Sequence, residues 1–289
     1  MKKLVWKFSL VLLVAAPSTH GFDLNIGKII ESGTEIVKHA SNATTDVSEE
    51  KEIQLGAGIA SNLLGAAPLV ANPALQRYVN GVGMWLAAHS ERPDLPWRFG
   101  VIESTNINAF AAPGGYIFIT KGMFLLLRNE AELAGVLAHE IVHVLERHHL
   151  EAIKAGAQRE LAASVLSMAA EQATDRDLSP LIGSGLQLYA RGLDKEDEFE
   201  ADRMGVVIAA RAGYDPYGLL GGLFTLASIN PQSDAVTLMF KTHPPAKDRI
   251  ERVDALLEQH LAYLANQPQV PERVQAYQQK MLATAAPAP

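Results

Sequence analysis

The chain contains no cysteine. That excludes disulfides, thiolate metal sites and a lipid anchor on an N-terminal cysteine. A buried core must carry the fold, and 289 residues suffice for one or two domains. The sequence also lacks an apolar run of the roughly 20 residues that a spanning helix needs. Phe8 to Ala16 is shorter, and Met123 to Leu127 and Ile182 to Ala190 are short or interrupted. A mature chain of this kind is expected to be soluble or peripheral to a membrane. Positive charge is not in excess, since the formal net charge is -7, which speaks against a nucleic-acid partner. There is no internal repeat and no tandem helical-repeat extension.

What is present begins with a basic stretch, Met1 to Lys7, then the apolar Phe8 to Ala16, then the small and polar Pro17 to Gly21. That order predicts a secretory signal peptide over residues 1–21, cleaved near Gly21-Phe22, with a retained membrane anchor as the competing reading. Residues 22–70 read as a lead-in, with a helix near Asn25 to His39 and a Gly-, Ala- and Leu-rich stretch, Leu55 to Val70, that suits a buried helix or else a small membrane-touching segment. The main domain is expected over residues 71–265. A Gln-, Pro- and Ala-rich tail follows over 266–289, with one short helix from Pro271 to Met281.

Within the main domain Asn72-Pro73 predicts a helix start, because Asn caps and Pro suits the first helical position. Leu75, Val79, Val82 and Leu86 would line its buried side. Trp97 to Ile102 has strand composition. Asn106 to Ala111 and Tyr116 to Thr120 flank Pro113-Gly114-Gly115, which predicts a tight hairpin. Asn129 with Glu132 resembles a capping box that opens a helix running to about Ala155. Further helices are expected at about 158–172, 178–191, 194–212, 216–228 and 245–260. The fold class is α+β, mostly helical, with one small sheet.

His139-Glu140-Ile141-Val142-His143 fits the pattern H-E-x-x-H. Spacing of four puts both imidazoles on one helix face, about 40° apart. Both can then reach one zinc ion. Glu140 sits beside the metal and not on it, placed to take a proton from attacking water and return it to the leaving amine. A zinc hydrolase also needs a third protein ligand. The acidic run from Lys195 to Asp202 is the best supplier. Glu198 and Asp202 share a helix face, so one carboxylate can bind the metal and the other can orient a ligand imidazole. Glu196, Asp197 and Glu200 point elsewhere and read as solvated. His148 and His149 lie far round the helix from His143 and should not reach the same metal. His89 and His260 read as surface positions.

These segments resemble the zinc metallopeptidases that carry H-E-x-x-H and E-x-x-A-D, including the HtpX-type, BepA-like and CAAX-prenyl-endopeptidase proteins. Asn108-Ala109-Phe110-Ala111 with Pro113-Gly114-Gly115 is similar to that family's N-A-F-x-x-P-G-G strand and turn. Arg147-His148 is similar to its R-H, and Thr242-His243-Pro244-Pro245 with Arg249 to its T-H-P segment. The likeness spans about residues 70–260 in the same order. It implies a zincin-like domain with the sheet bordering the cleft. It further implies one zinc ion per chain on His139, His143 and Glu198, Glu140 as general base, and Asp202 as the partner of a ligand.

The strand Asn108, Ala109, Phe110 and Ala111 would pair with an extended substrate. His243 would either assist catalysis or approach the metal and block the water site, its bland alternative being a helix cap. Arg249 would tie that loop down or meet a carboxylate. The chain departs from the membrane-embedded members, which have several spanning helices, and from the helical-repeat extension of the BepA-like type. The expected activity is endoproteolysis of misfolded or unassembled envelope proteins in the periplasm, with peripheral membrane contact left open. The alternatives are a chaperone-like binding factor with a self-blocked zinc site, and a structural zinc module.

Overall fold

The computed structural model describes residues 47–156, 193–230, 233, 236, 239 and 242–264. The expected signal segment, the helices at Asn25 to His39, 158–172 and 178–191, and the C-terminal tail lie outside the described residues. Helix α1 (Glu49–Ala66) is capped by Ser48, and α2 (Pro73–Ala87) by Asn72, whose Oδ1 accepts from Leu75 N at 3.1 Å. Leu75, Val79, Val82 and Leu86 are all buried, as the spacing predicts.

Strands β1 (Arg98–Ile102), β2 (Ala109–Ala112) and β3 (Tyr116–Thr120) form one mixed sheet in the order β1-β3-β2. β1 runs parallel to β3, and β2 pairs antiparallel with it, Phe110 opposite Phe118. The β2–β3 turn is the expected hairpin. Gly114 and Gly115 adopt φ of 74° and 95°, which glycine accepts without strain.

Helix α3 (Lys121–Leu126) leads to α4 (Glu130–Leu145), the helix that carries H-E-x-x-H. Asn129 caps it, its Oδ1 accepting from Glu132 N at 2.8 Å. The Glu132 carboxylate reaches back one residue further than a capping box requires and accepts from Arg128 N. One expectation fails here. α4 does not run to Ala155 but ends at Leu145, Arg147 takes φ 58°, and residues 148–156 are helical again. Helices α5 (Lys195–Arg211), α6 (Gly218–Ala227) and α7 (Ala246–Leu256) follow close to their expected positions, with a π turn (Leu257–Leu261) after α7.

The core centres on α4, which packs against α2, β2, α5 and α6. Leu133, Leu137, Ile141 and Val142 are wholly buried, so packing fixes the helix that bears the histidines. α5 comes unusually close. A Cβ added at Gly205 would sit 2.9 Å from His139 N, so only glycine allows this approach. α1 packs on the hairpin more closely still at Gly56, beside the Pro113 carbonyl. No helix among the described residues is long and apolar enough to cross a membrane. The result is an α+β fold, mostly helical with a three-stranded sheet.

Candidate metal centre

Successive turns of α4 carry His139 and His143, and their Nε2 atoms lie 3.1 Å apart. Glu198 enters from the first turn of α5. Its Oε2 is 3.6 Å from His139 Nε2 and its Oε1 is 3.7 Å from His143 Nε2. His243 comes from the segment before α7, with Nε2 3.8 Å from Glu198 Oε2 and 3.9 Å from Glu140 Oε1. One donor atom from each of His139, His143, Glu198 and His243 lies within 4.8 Å of every other. The first three are buried and His243 is partly exposed.

The Glu198 carboxylate shows what this cluster suits. Both oxygens are buried, and neither has a hydrogen-bond partner among the described residues. Burial opposes its charge, yet His243, His139 and Arg249 hold its pKa down at about 2. A buried carboxylate facing three imidazole nitrogens, all beyond hydrogen-bonding distance, is better compensated by a cation seated among them than by charges at that range. Two imidazoles and a carboxylate are donors of the type that zinc takes. The residues therefore fit a metal ion.

The surroundings hold these donors in place. Asp202 Oδ1 lies 2.9 Å from His139 Nδ1. Arg249 grips Asp202 with two hydrogen bonds, from Nε to Oδ2 at 2.8 Å and from Nη2 to Oδ1 at 2.5 Å. Arg249 is 5% exposed, so this bidentate pair is buried. Burial would raise Asp202, but Arg249 and His139 keep it well below the usual carboxylate range. For His139, burial and Arg249 oppose a proton, whereas Asp202 and Glu198 outweigh them and lift its pKa to about 9. Burial pushes His143 well below an ordinary imidazole and His243 down to about 4. Glu140 is pushed up to about 7, again chiefly by burial.

His243 caps no helix: α7 begins at Ala246 without a side-chain cap, and His243 Nδ1 lies 2.9 Å from Thr242 Oγ1. Of the two roles left open for Arg249, the structure shows the carboxylate contact. Three features escape the sequence. His148 stands against His143, with 3.0 Å between the Nδ1 atoms. Asp197 and Glu200 are not simply solvated, since each carboxylate approaches His148 Nε2, at 3.8 and 3.7 Å. Glu52, wholly buried on α1, holds Arg92, Arg147 and Gly114 N together. Arg147-His148 was visible as a motif, but the backbone reversal that aims His148 was not.

Asn108 directly precedes β2, which packs against α4 and has no second strand partner among the described residues. Thr120 N donates to Asn108 O, and pairing alternates along an antiparallel ladder. The backbone groups of Ala109 and Ala111 therefore face the free edge. The buried Asn108 amide has no hydrogen-bond partner on either its nitrogen or its oxygen among the described residues.

A helix-borne histidine pair and a carboxylate from a second helix make a metal donor set, and a glutamate beside the pair adds the base of a metallopeptidase. Residues 73–257 match the family model for peptidase family M48, and the chain belongs to that family. It is similar to the beta-barrel assembly-enhancing protease of Escherichia coli (strain K12), 31% identical over 228 residues, covering 76% of this chain and 46% of that protein. The mitochondrial metalloendopeptidase OMA1 of Schizosaccharomyces pombe (strain 972 / ATCC 24843) is 32% identical over 181 residues, 62% of this chain and 52% of OMA1. The metalloprotease YcaL of Escherichia coli (strain K12) is 28% identical over 257 residues, 85% of this chain and 92% of YcaL. The chain thus spans about half the length of the first two relatives.

Proposed function

We propose that the chain is a zinc-dependent endopeptidase that binds one zinc ion on His139, His143 and Glu198 and cleaves misfolded or unassembled proteins of the cell envelope. The observation that carries the metal reading is the buried Glu198 carboxylate, which has no hydrogen-bond partner among the described residues and stands 3.6 and 3.7 Å from two Nε2 atoms. When bound, zinc supplies Lewis acidity for the scissile carbonyl and makes water a nucleophile near neutral pH. Glu140 takes the proton of the attacking water on its carboxylate and delivers it to the amine nitrogen as the peptide bond breaks. Burial raises this carboxyl in the metal-free chain, which favours its taking up a proton. Asp202, held by Arg249, fixes the His139 ring so that Nε2 faces the ion. The free edge of β2 pairs with an extended substrate through the backbone of Ala109 and Ala111. Phe110 anchors the strand on its other face, against the hydrophobic cluster of Ala60, Ile102 and Phe118.

The substrate class rests on the basic and apolar N-terminal segment, which suits export to the periplasm, and on the relative named for beta-barrel assembly. Main-chain pairing makes modest sequence demands, which suits unfolded segments. Metal analysis of the purified chain and its Glu198→Ala variant tests the centre. One zinc per wild-type chain and loss of zinc in the variant are expected. A zinc-replete Glu198→Ala variant would contradict this ligand set.

A second reading, a binding factor whose site is closed, has one observation in its favour. His243 Nε2 stands among the donors, 3.8 Å from Glu198 and 3.9 Å from Glu140. A His243→Ala variant tested on unfolded casein separates the two. Faster cleavage identifies His243 as a latch, and slower cleavage identifies it as a donor to the developing oxyanion. No cleavage by either protein, with zinc bound, favours the binding role.

A further inference from the structure

α4 stops at Leu145, and two residues later Arg147 turns into the left-handed region at φ 58°. For a residue with a Cβ that conformation costs about 1–2 kcal/mol. Something must therefore hold Arg147 there. Its Nε lies 3.1 Å from Oε2 of Glu52, a wholly buried carboxylate that also receives Arg92 at 3.0 and 3.1 Å and Gly114 N at 3.2 Å. The turn after α4 is thus clamped by α1, which lies outside residues 73–257.

The reversal takes His148 off the path it would follow on a continuous helix and folds it back against His143. The rings stand edge to face, 69° between planes and 5.2 Å between centroids, and the two Nδ1 atoms are 3.0 Å apart. His148 is buried. Its Nε2 faces the carboxylates of Asp197 and Glu200 on α5.

Two Nδ1 atoms at that distance need one proton between them. His143 turns Nε2 toward His139 and Glu198, so a metal there requires the Nε2 lone pair and leaves the ring proton on Nδ1. We propose that His148 is a positioning residue for the metal centre, accepting a hydrogen bond at its Nδ1 from His143 Nδ1–H and so fixing the tautomer and tilt of that ring. His148 then carries its own proton on Nε2, facing the two carboxylates. The two histidines of the H-E-x-x-H pair are served by different groups, His139 by Asp202 and His143 by His148. This inference rests on the reading that His143 is a metal ligand.

The test uses the full chain and zinc, with affinity measured by competition against a chromophoric chelator and the melting temperature of each metal-free protein recorded alongside. His148→Leu removes the acceptor. His148→Asn places an amide oxygen near the Nδ1 position. His148→Gln places one nearer Nε2, out of reach of His143. Loss of a hydrogen bond to a metal-bound histidine costs about 10–100-fold in affinity. That loss is expected for Leu and Gln, with Asn recovering most of it and the metal-free Asn and Gln proteins melting together. If His148→Leu does not fold, the Asn and Gln pair decides. Equal zinc affinity in those two overturns the proposal, as does wild-type affinity in His148→Leu. A wild-type chain that takes up no zinc refutes the metal reading itself, a result distinguishable from either.

Discussion

Zinc uptake should expel a proton from His139. In the metal-free chain Asp202 and Glu198 lift His139 to about 9, against burial and Arg249. A group with that pKa is about 97% protonated at pH 7.5 and about half protonated at pH 9. Binding through Nε2 requires that proton to leave. Glu140, at about 7, is roughly one-quarter protonated at pH 7.5 and loses that fraction beside a cation. His143 and His243 are shifted down and Glu198 is already ionised, so they add nothing. The expected release from these side chains is about one proton per zinc at pH 7.5 and about half a proton at pH 9, with ionisation of metal-bound water adding to both. The sign follows from the raised pKa, since the proton is fully present below pH 8 and disappears as pH rises through 9. Calorimetric titration in buffers of different ionisation enthalpy reads the number directly. Asp202→Asn removes one of the two groups that raise His139 and should lower the release at pH 7.5. A release below about 0.3 protons at pH 7.5, or one that does not change by pH 9, would refute the reasoning.

Three other outcomes follow from the packing. Glu52→Ala leaves the buried Gly114 N without its acceptor and takes the shared partner from the part-exposed Arg92 and Arg147, and should cost about 1–3 kcal/mol in urea unfolding. Gly205→Ala sets a methyl group 2.9 Å from His139 N and pushes α5 off α4. It should destabilise by about 1–3 kcal/mol and weaken zinc binding, since Glu198 moves with α5. Arg249→Met strands the Asp202 carboxylate in the interior and should cost a few kcal/mol in the same urea assay. Unchanged unfolding midpoints in these variants would show that the contacts carry no stability.

How much of this was legible in the sequence depends on the range of the contacts involved. His139, Glu140 and His143 lie on one helix, and Glu198 and Asp202 on another, so helical periodicity placed each set correctly. Asn72, Asn129 and the Gly114-Gly115 turn were equally readable, because caps and tight turns are local chemistry. The break at Arg147 was not readable. Leu145-Glu146-Arg147-His148 contains no glycine, asparagine or proline to announce a left-handed residue. What stabilises it is Glu52, a partner 95 positions earlier in the chain. On a continuous helix His148 would face away from His143, and the broken helix reverses that. Glu52 itself sits in the acidic run Glu49-Glu50-Lys51-Glu52, which looks solvated until Arg92 and Arg147 are in place. Arg249 met its carboxylate 47 residues back, a pairing that spacing alone left open.

In the proposed centre, neighbours on α4 divide the labour, His139 and His143 holding the metal and Glu140 moving the proton. Glu140→Gln keeps the size of the side chain and removes only its ability to take a proton. The direct measurement is the zinc content of this variant together with its cleavage of unfolded casein, beside the wild-type chain. One zinc per chain in both proteins and no cleavage by the variant are expected. A zinc-loaded Glu140→Gln protein that cleaves casein at the wild-type rate would contradict this division of labour.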